Sequence, residues 1–505
     1  MSDVRPSRSS ILVASNRGPI SFVRDDAGRL GVHRGGGGLV AGLVALRASS
    51  DTLWVCAALS DADRQAVRES PQGHLDAAGH DTFGMRVRML DIPAATFTRA
   101  YNVVANSVLW FVHHLMYDTP TEPTFDGRFA GQWAAYRDYN DRFAAALAEE
   151  ATEGARVLVQ DYHLTLAPRL LRTRRPDLRI AHFSHTPWAP PEYFQLLPDA
   201  VAREVLLGVL GADVAGFLTA RWARAFADCC AQVLDAEVHE DAGHGGRPDG
   251  QPDGQPDRRP EWSVTVAGRT TRVTVHPLGV DAGSLAERAA QPDVAARAEV
   301  LAATVGSRKM ILRVDRTELS KNIVRGLHAY RELLRRYPQW RGQVVHVAFA
   351  YPSRHDLPVY RAYTGMVQQV AQEIMDEFAT PDWSPLLLHI EDDFPRTLAA
   401  YQRADVLLVN PIRDGMNLVA KEGPVLSRDG VVLVLSREAG AVAELGDDAL
   451  VVNPFDVEAT AEALHQALLM DAEERRARNQ RLAQAATRMP PSVWFAEQLA
   501  ALDAI

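Results

Sequence analysis

Val157-Leu158-Val159-Gln160-Asp161-Tyr162-His163 is an apolar, β-branched run that breaks into polar residues. It reads as a buried strand whose carboxyl end carries functional groups. Ile180-Ala181-His182-Phe183-Ser184-His185 has the same form. So does Ile11 to Ala14, which ends at Ser15-Asn16-Arg17-Gly18-Pro19. Strands of this kind, separated by helical stretches, predict an α/β chain with a doubly wound parallel sheet. Ligands are then expected beyond the carboxyl ends of the strands.

A second series starts near Met310-Ile311-Leu312. It continues through Val344–Phe349, Leu386–His389, Val406–Val409, Val431–Leu435 and Ala449–Val452. Two Rossmann-like domains facing each other across a cleft follow from this. The crossover is expected at His276-Pro277-Leu278-Gly279-Val280-Asp281. The first domain is then 1–280, the second 281–480, and a helix over 481–505 returns to the first. Residues 239–260 (HEDAGHGGRPDGQPDGQPDRRP) are low-complexity and contain nothing from which to build a core. They read as a disordered insertion, because Ser263–Val266 and Thr271–Val275 flank Gly268 like the strands of a hairpin.

The chain has 505 residues, 54 basic against 64 acidic, a net charge of −10, and 47% hydrophobic residues. That composition excludes a disordered chain and a broad nucleic-acid face, which needs a basic stripe. A small anionic substrate needs only a few Arg and Lys in one cleft. Three cysteines without a C-x-x-C pair indicate neither a thiolate metal site nor a disulfide framework. A reducing, cytoplasmic setting is expected. The opening MSDVRPSRSS lacks the apolar core of a secretory signal, and no stretch is apolar enough for a membrane span.

Several constellations could carry chemistry. Gly35-Gly36-Gly37-Gly38, just before the helix-like Leu39–Leu46, could bring bare amides against a phosphate; the plain alternative is a loop that binds nothing. Asp414-Gly415-Met416-Asn417-Leu418-Val419-Ala420-Lys421-Glu422 follows a strand and reads as a tight turn opening a helix. Amides of Met416, Asn417 and Leu418 at a helix N-terminus suit a diphosphate, and Glu422, about two turns on, could accept ribose hydroxyls. An Asp cap with an ordinary helix behind it is the alternative. Arg316 and Lys321 follow a strand and could neutralise a leaving diphosphate, or simply pair with Asp315 and Glu318. Arg354 invites the same two readings. His185 could meet a sugar hydroxyl or be a structural histidine. Tyr101 and Trp110 could be sugar platforms, or core.

Taken together and in this order, these motifs resemble the trehalose-6-phosphate synthase family, glycosyltransferase family 20. The match runs from Ile11 to about Leu499. The residues that carry it are Ser15-Asn16-Arg17, Gly37-Gly38-Leu39, Tyr101-Asn102 with Trp110, Asp161-Tyr162-His163, His185-x-Pro187, Arg316 with Lys321, Ser353-Arg354 and Arg413 through Glu422. The resemblance implies the GT-B fold and retaining transfer of glucose from a nucleotide sugar to glucose 6-phosphate. Arg17, Tyr101, Trp110, Asp161 and Arg354 would hold glucose 6-phosphate. Gly38, His185, Arg316, Lys321, Asp414, Gly415, Met416, Asn417, Leu418 and Glu422 would hold the donor. Asp161, His185, Arg316 and Lys321 would act at the reaction centre. No metal and no cofactor is expected, and relatives are often dimers or tetramers.

The sequence departs from the family pattern in two places. Trp54-Val55-Cys56-Ala57 stands where many members have W-x-G-W, so a wall of the acceptor site differs at Ala57. Arg316-Thr317-Glu318-Leu319-Ser320-Lys321-Asn322 replaces R-L-D-Y-x-K-G, with both cations kept. This version looks most like the actinobacterial branch, which points to GDP-glucose ahead of UDP- or ADP-glucose. The alternatives are another acceptor (glycerol 3-phosphate, or a cyclitol joined through nitrogen) and a silent sugar-phosphate sensor. A dinucleotide-dependent oxidoreductase is disfavoured, because the glycine run comes some twenty residues after the first strand.

Overall fold

The computed structural model describes residues 8–25, 28–34, 51–241, 259–354 and 357–505. The glycine run, the helix expected behind it and Gly38 lie outside the described residues, as does 242–258 of the expected insertion. The chain divides into two compact units, residues 1–277 with 491–505, and residues 278–490.

The first unit holds β1 (Ser9–Ala14), β2 (Ile20–Arg24), β3 (Leu30–Arg34), β4 (Thr52–Ala57), β5 (Arg86–Leu90) and β6 (Ala151–Gln160). It continues with β7 (Arg179–Ser184), β8 (Val214–Phe217), β9 (Glu237–Asp241), β10 (Glu261–Val266) and β11 (Arg269–Val275). Nine of them form one sheet in the order β5-β4-β1-β6-β7-β8-β11-β10-β9. The run from β5 to β11 is parallel throughout. Leu12, Val13, Val157, Leu158 and Val159 are fully buried, as strands covered on both faces require. The chain builds outward from β1 to β4 and β5, then returns to lay β6 on the other side of β1. The switch point of this sheet therefore lies between β1 and β6.

The hairpin read around Gly268 is present as β10 and β11. Val266 faces Arg269 across a two-residue turn in which Ala267 and Gly268 both have positive φ, 50° and 80°. That is the turn whose twist matches the strands it joins. The ends of the expected insertion are ordered differently from the reading: His239 to Asp241 belong to β9, and Asp241 pairs with Glu261 of β10. Val238 opposite Val264 gives this edge an apolar contact that composition alone hides.

The second unit holds β12 (Lys309–Arg316), β13 (Val344–Tyr351), β14 (Leu386–His389), β15 (Val406–Val409), β16 (Val432–Ser436) and β17 (Leu450–Val452). Their order is β14-β13-β12-β15-β16-β17, all parallel. Here the switch point falls between β12 and β15. Each expected strand of the second series is found.

The tail is helical in two pieces. Ala472–Ala486 stays with the second unit, while Pro491–Asp503 belongs to the first. Pro490 and Pro491 divide what the sequence suggested as one helix over 481–505: proline lacks an amide donor and pushes the preceding residue out of helical geometry. Trp494 anchors the last helix. Its ring meets Phe183 edge-on at 4.9 Å, and its Nε1 donates to the His276 carbonyl at 3.1 Å.

Candidate active site

At the first switch point, β1 runs into Ser15-Asn16-Arg17. The first two residues are internal fasteners. Ser15 Oγ accepts from Trp54 Nε1 at 2.7 Å and donates to the Arg17 carbonyl at 2.6 Å. Asn16 Oδ1 accepts from the buried Tyr139 hydroxyl at 2.5 Å. Arg17 itself is exposed. Ala57 is buried beside this turn, its amide donating to the Asn16 carbonyl at 3.2 Å.

Beyond β6, Asp161 has φ 72°, a left-handed backbone uncommon for a side chain with a Cβ. Its Oδ1 accepts from the His185 amide at 3.2 Å, which ties the ends of β6 and β7 together. His163 Nδ1 lies 4.0 Å from the other Asp161 oxygen. His163 also stacks on Tyr101, with ring centroids 5.5 Å apart at 17°. Phe97 stacks near Tyr101 as well, at 5.0 Å and 21°. The first unit thus gathers Tyr101, Asp161, His163 and His185.

Tyr101 lies in a π-helical segment, Thr98–Leu109. At 3.6 residues per turn, nine residues put Tyr101 and Trp110 on opposite faces. The wider i→i+5 winding turns less per residue and carries Trp110 back toward Tyr101. Such segments are rare and recur at functional sites. Trp110 is only 3% exposed, with its ring on His114 at 4.1 Å, so it meets its neighbours mostly from inside the fold.

His185 Nε2 is 2.9 Å from Gln160 Oε1. A carbonyl oxygen accepts only, so Nε2 carries the proton and Nδ1 is left as an acceptor. Burial, with His182 adding to it, pushes His185 down to about 3, so the imidazole is neutral across physiological pH. Trp494 backs the ring at 5.5 Å.

At the second switch point the chemistry is ionic. Lys321 Nζ reaches Asp414 Oδ2 at 2.5 Å, and Asn417 Nδ2 donates to the same oxygen at 3.0 Å. Burial pulls the Lys321 ammonium down, but Asp414, Asp315 and Glu318 outweigh it and hold its pKa above the ordinary value. Arg316 is 59% exposed and pairs with Glu318 at 3.2 Å. Arg313, fully buried, braces this loop from below: Nε donates to Asp315 at 2.8 Å and Nη2 to the Lys321 carbonyl at 2.7 Å. Arg354 has φ 46°, and its Nη1 donates to the Tyr360 hydroxyl at 2.6 Å.

The Asp414 run forms the expected turn and helix, the latter spanning Val419–Leu426. A Cβ on Gly440 would fall 1.9 Å from the Gly415 carbonyl oxygen, so this close approach requires glycine. Asn417, with φ 81°, turns the chain into the helix and accepts from the Ala420 amide at 3.3 Å. Among the described residues, no acceptor meets the amides of Met416, Asn417 or Leu418. A helix start leaves such donors available to an anion. Burial pushes the Glu422 carboxyl up to about 7, partly offset by a hydrogen bond from Tyr401 at 3.1 Å. Lys421, fully buried, is absorbed structurally on Glu444 and the Leu278 carbonyl.

The sequence reading gave no site role to Gln160, His163, Ser353 or Trp494, and named Glu318 only as a charge partner for Arg316 and Lys321, which for Arg316 it is. Gln160 and His163 flank Asp161, so adjacency was a usable signal for them. Trp494 carried none, because its contact with His185 is made only by the folded chain. No cluster of three or more metal-ligating side chains occurs among the described residues, and no described helix is long and apolar enough to cross a membrane.

A model of glycosyltransferase family 20 matches residues 9–504. The alpha,alpha-trehalose-phosphate synthase (UDP-forming) 2 of Aspergillus fumigatus is 32% identical over 492 residues, covering 96% of this chain and 95% of that protein. The probable alpha,alpha-trehalose-phosphate synthase (UDP-forming) 2 of Arabidopsis thaliana is also 32% identical, over 94% of this chain; the chain spans 55% of that relative's length. An E. coli structure bound with UDP-2-fluoro glucose superposes with a TM-score of 0.82 at 27% identity, over 98% of this chain and 99% of that one. A Burkholderia xenovorans alpha,alpha-trehalose-phosphate synthase (UDP-forming) in complex with glucose-6-phosphate gives 0.82 at 28% identity, over 98% and 100%.

Proposed function

The chain belongs to glycosyltransferase family 20, a family of enzymes, and has the GT-B fold; from that premise we propose that it makes α,α-trehalose 6-phosphate from a nucleotide-diphosphate glucose and glucose 6-phosphate. One observation carries the reading. Arg316 ends β12 with Lys321 just beyond it, and the Asp414–Glu422 run follows β15, so both flank the switch point of one parallel sheet. A cation pair beside an open helix start is what a departing diphosphate requires. The relatives named above are trehalose-phosphate synthases, and solved neighbours hold a UDP-glucose analogue or glucose 6-phosphate, which supports both substrates.

In this reading the donor C1–O bond breaks and the nucleoside diphosphate leaves toward Arg316, Lys321 and the amides of Met416, Asn417 and Leu418. Asp414 takes donor hydroxyls and Glu422 the ribose. The acceptor hydroxyl attacks from the same face and gives its proton to the leaving phosphate oxygen. Configuration is retained without a protein nucleophile, unlike retaining glycosidases with their two carboxylates. Neutral His185 accepts a donor hydroxyl at Nδ1. Asp161, Tyr101 and Trp110 belong to the glucose 6-phosphate side, with Arg17 and Arg354 on its phosphate. We also assign Gly38, which lies outside the described residues, to the donor diphosphate.

We propose GDP-glucose as the preferred donor, on the Arg316–Asn322 version of the loop. The relatives named above are UDP-forming, which favours UDP-glucose as the second reading. Incubating the enzyme with glucose 6-phosphate and GDP-, UDP- or ADP-glucose in excess chelator tests base preference and metal independence together. Equal or better turnover with UDP-glucose would overturn the GDP reading. Restoration of activity by a divalent metal would overturn the metal-free one.

A further inference from the structure

Glu318 is buried, its side chain 4% exposed, although its partner Arg316 is 59% exposed. Nothing in the proposed reaction uses it. An exposed arginine needs no counter-ion, whereas a buried carboxylate is costly unless paired and hydrogen-bonded. The pair is therefore informative about the acid rather than the base. Glu318 Oε1 lies 3.2 Å from Arg316 Nη1 and accepts from Ser353 Oγ at 2.9 Å. Ser353 directly precedes Arg354, whose left-handed φ of 46° persists only if the surroundings hold it. Burial alone would raise the Glu318 carboxyl. Arg316, Arg354 and Lys321 together outweigh it and hold it down to about 2, so it stays ionised at working pH.

We propose that Glu318 is a positioning residue that sets two phosphate-binding arginines at once, Arg316 through its ion pair and Arg354 through Ser353. This rests on the reading of Arg316 as a ligand of the leaving diphosphate and Arg354 as a ligand of the acceptor phosphate. Two effects of removing the carboxylate oppose each other. Losing a negative charge makes the site more positive and would tighten anion binding. Losing the anchor frees the Arg316 side chain and loosens the strained turn that carries Arg354, which weakens it. The hydrogen bond to Ser353 and the strained turn beyond it make the second effect the larger here.

The test measures equilibrium binding of glucose 6-phosphate, GDP and UDP to the full chain by calorimetry, alongside turnover. Glu318→Gln is expected to weaken glucose 6-phosphate and the nucleoside diphosphate about tenfold each. Glu318→Asp, which keeps the charge, should recover most of both losses. In the Arg354→Ala background, Glu318→Gln should cost nothing further for glucose 6-phosphate, because the two act as one unit. Ser353→Ala should weaken glucose 6-phosphate severalfold and leave the nucleoside diphosphate unchanged. This variant also decides the matter if Glu318→Gln does not fold.

Unchanged or tighter binding of either anion by Glu318→Gln would overturn the proposal, making Glu318 only a counter-charge. Losses additive with Arg354→Ala, or a silent Ser353→Ala, would overturn it too. If the wild type binds both anions but makes no disaccharide phosphate, the functional reading fails while the binding series still decides Glu318. If the wild type binds neither anion, both fail.

Discussion

At the switch point of the first sheet, β1 and β6 end in Ser15-Asn16-Arg17 and Asp161-Tyr162-His163; at that of the second, β12 and β15 end in Arg316 to Lys321 and the Asp414 run. Topology delivers both sets to equivalent places, but their electrostatics differ. In the first unit, rings are stacked and His185 is kept neutral by burial. In the second, the cations beside the switch point are paired with carboxylates: Lys321 on Asp414, Arg316 on Glu318, Arg313 on Asp315. The contrast suits two tasks. Ring faces and a neutral imidazole suit contacts to a sugar, whereas a diphosphate needs charges that are held in place before it arrives.

If that division is right, removing a cation from the second unit gives the largest effect. Arg316→Ala should lower kcat about 100-fold or more and also lower Tm, because buried Glu318 loses its ion-pair partner. Lys321→Ala should lower kcat as far and likewise cost stability, since Asp414 loses its partner. An unchanged kcat in both would break the comparison.

Next in size is Arg354→Ala, expected to raise the KM for glucose 6-phosphate about tenfold or more while kcat moves less, as loss of a charge-assisted hydrogen bond implies. An unaltered acceptor KM would remove Arg354 from the acceptor phosphate.

Smaller again is a pH effect confined to the second unit. Glu422 accepts ribose hydroxyls more strongly as the carboxylate than as the acid, and its carboxyl is pushed up to about 7. Nucleoside diphosphate affinity should therefore fall severalfold as pH drops through 7. Glu422→Gln should flatten that profile at a weaker affinity. His185, held near 3, should add no titration to the first unit in this range. A pH-independent wild type would contradict the Glu422 assignment.

The smallest effect is expected at the edge of the first sheet. Asp241 and Glu261 are already paired, so replacing residues 242–258 with a short Gly-Ser linker should leave kcat within about twofold. Loss of soluble protein would overturn that reading.

The strands and the polar residues at their carboxyl ends were legible because a parallel strand buried on both faces is a continuous apolar run, and its end is marked by the first polar residue. Val157–Gln160 before Asp161 and Val406–Val409 before the Asp414 run are of this kind. The π-winding over Thr98–Leu109 was not legible, since composition does not distinguish it from an α-helix. The helical composition of the tail also runs through Pro490-Pro491, where the chain breaks. Trp494 behind His185 and Glu318 beneath Ser353 are contacts across 309 and 35 positions of sequence. No local pattern encodes them; they follow from how the last helix docks on the first unit and how β12 lies beside β13.

A retaining transfer of glucose to glucose 6-phosphate is the proposed reaction. The most direct measurement follows the reaction by NMR, with the donor glucose labelled with carbon-13 at C1 and glucose 6-phosphate as acceptor. One disaccharide phosphate, α-linked on both anomeric carbons, is expected, formed in step with one nucleoside diphosphate. A β linkage, release of nucleoside diphosphate without disaccharide phosphate, or no turnover with any nucleotide-glucose would contradict it.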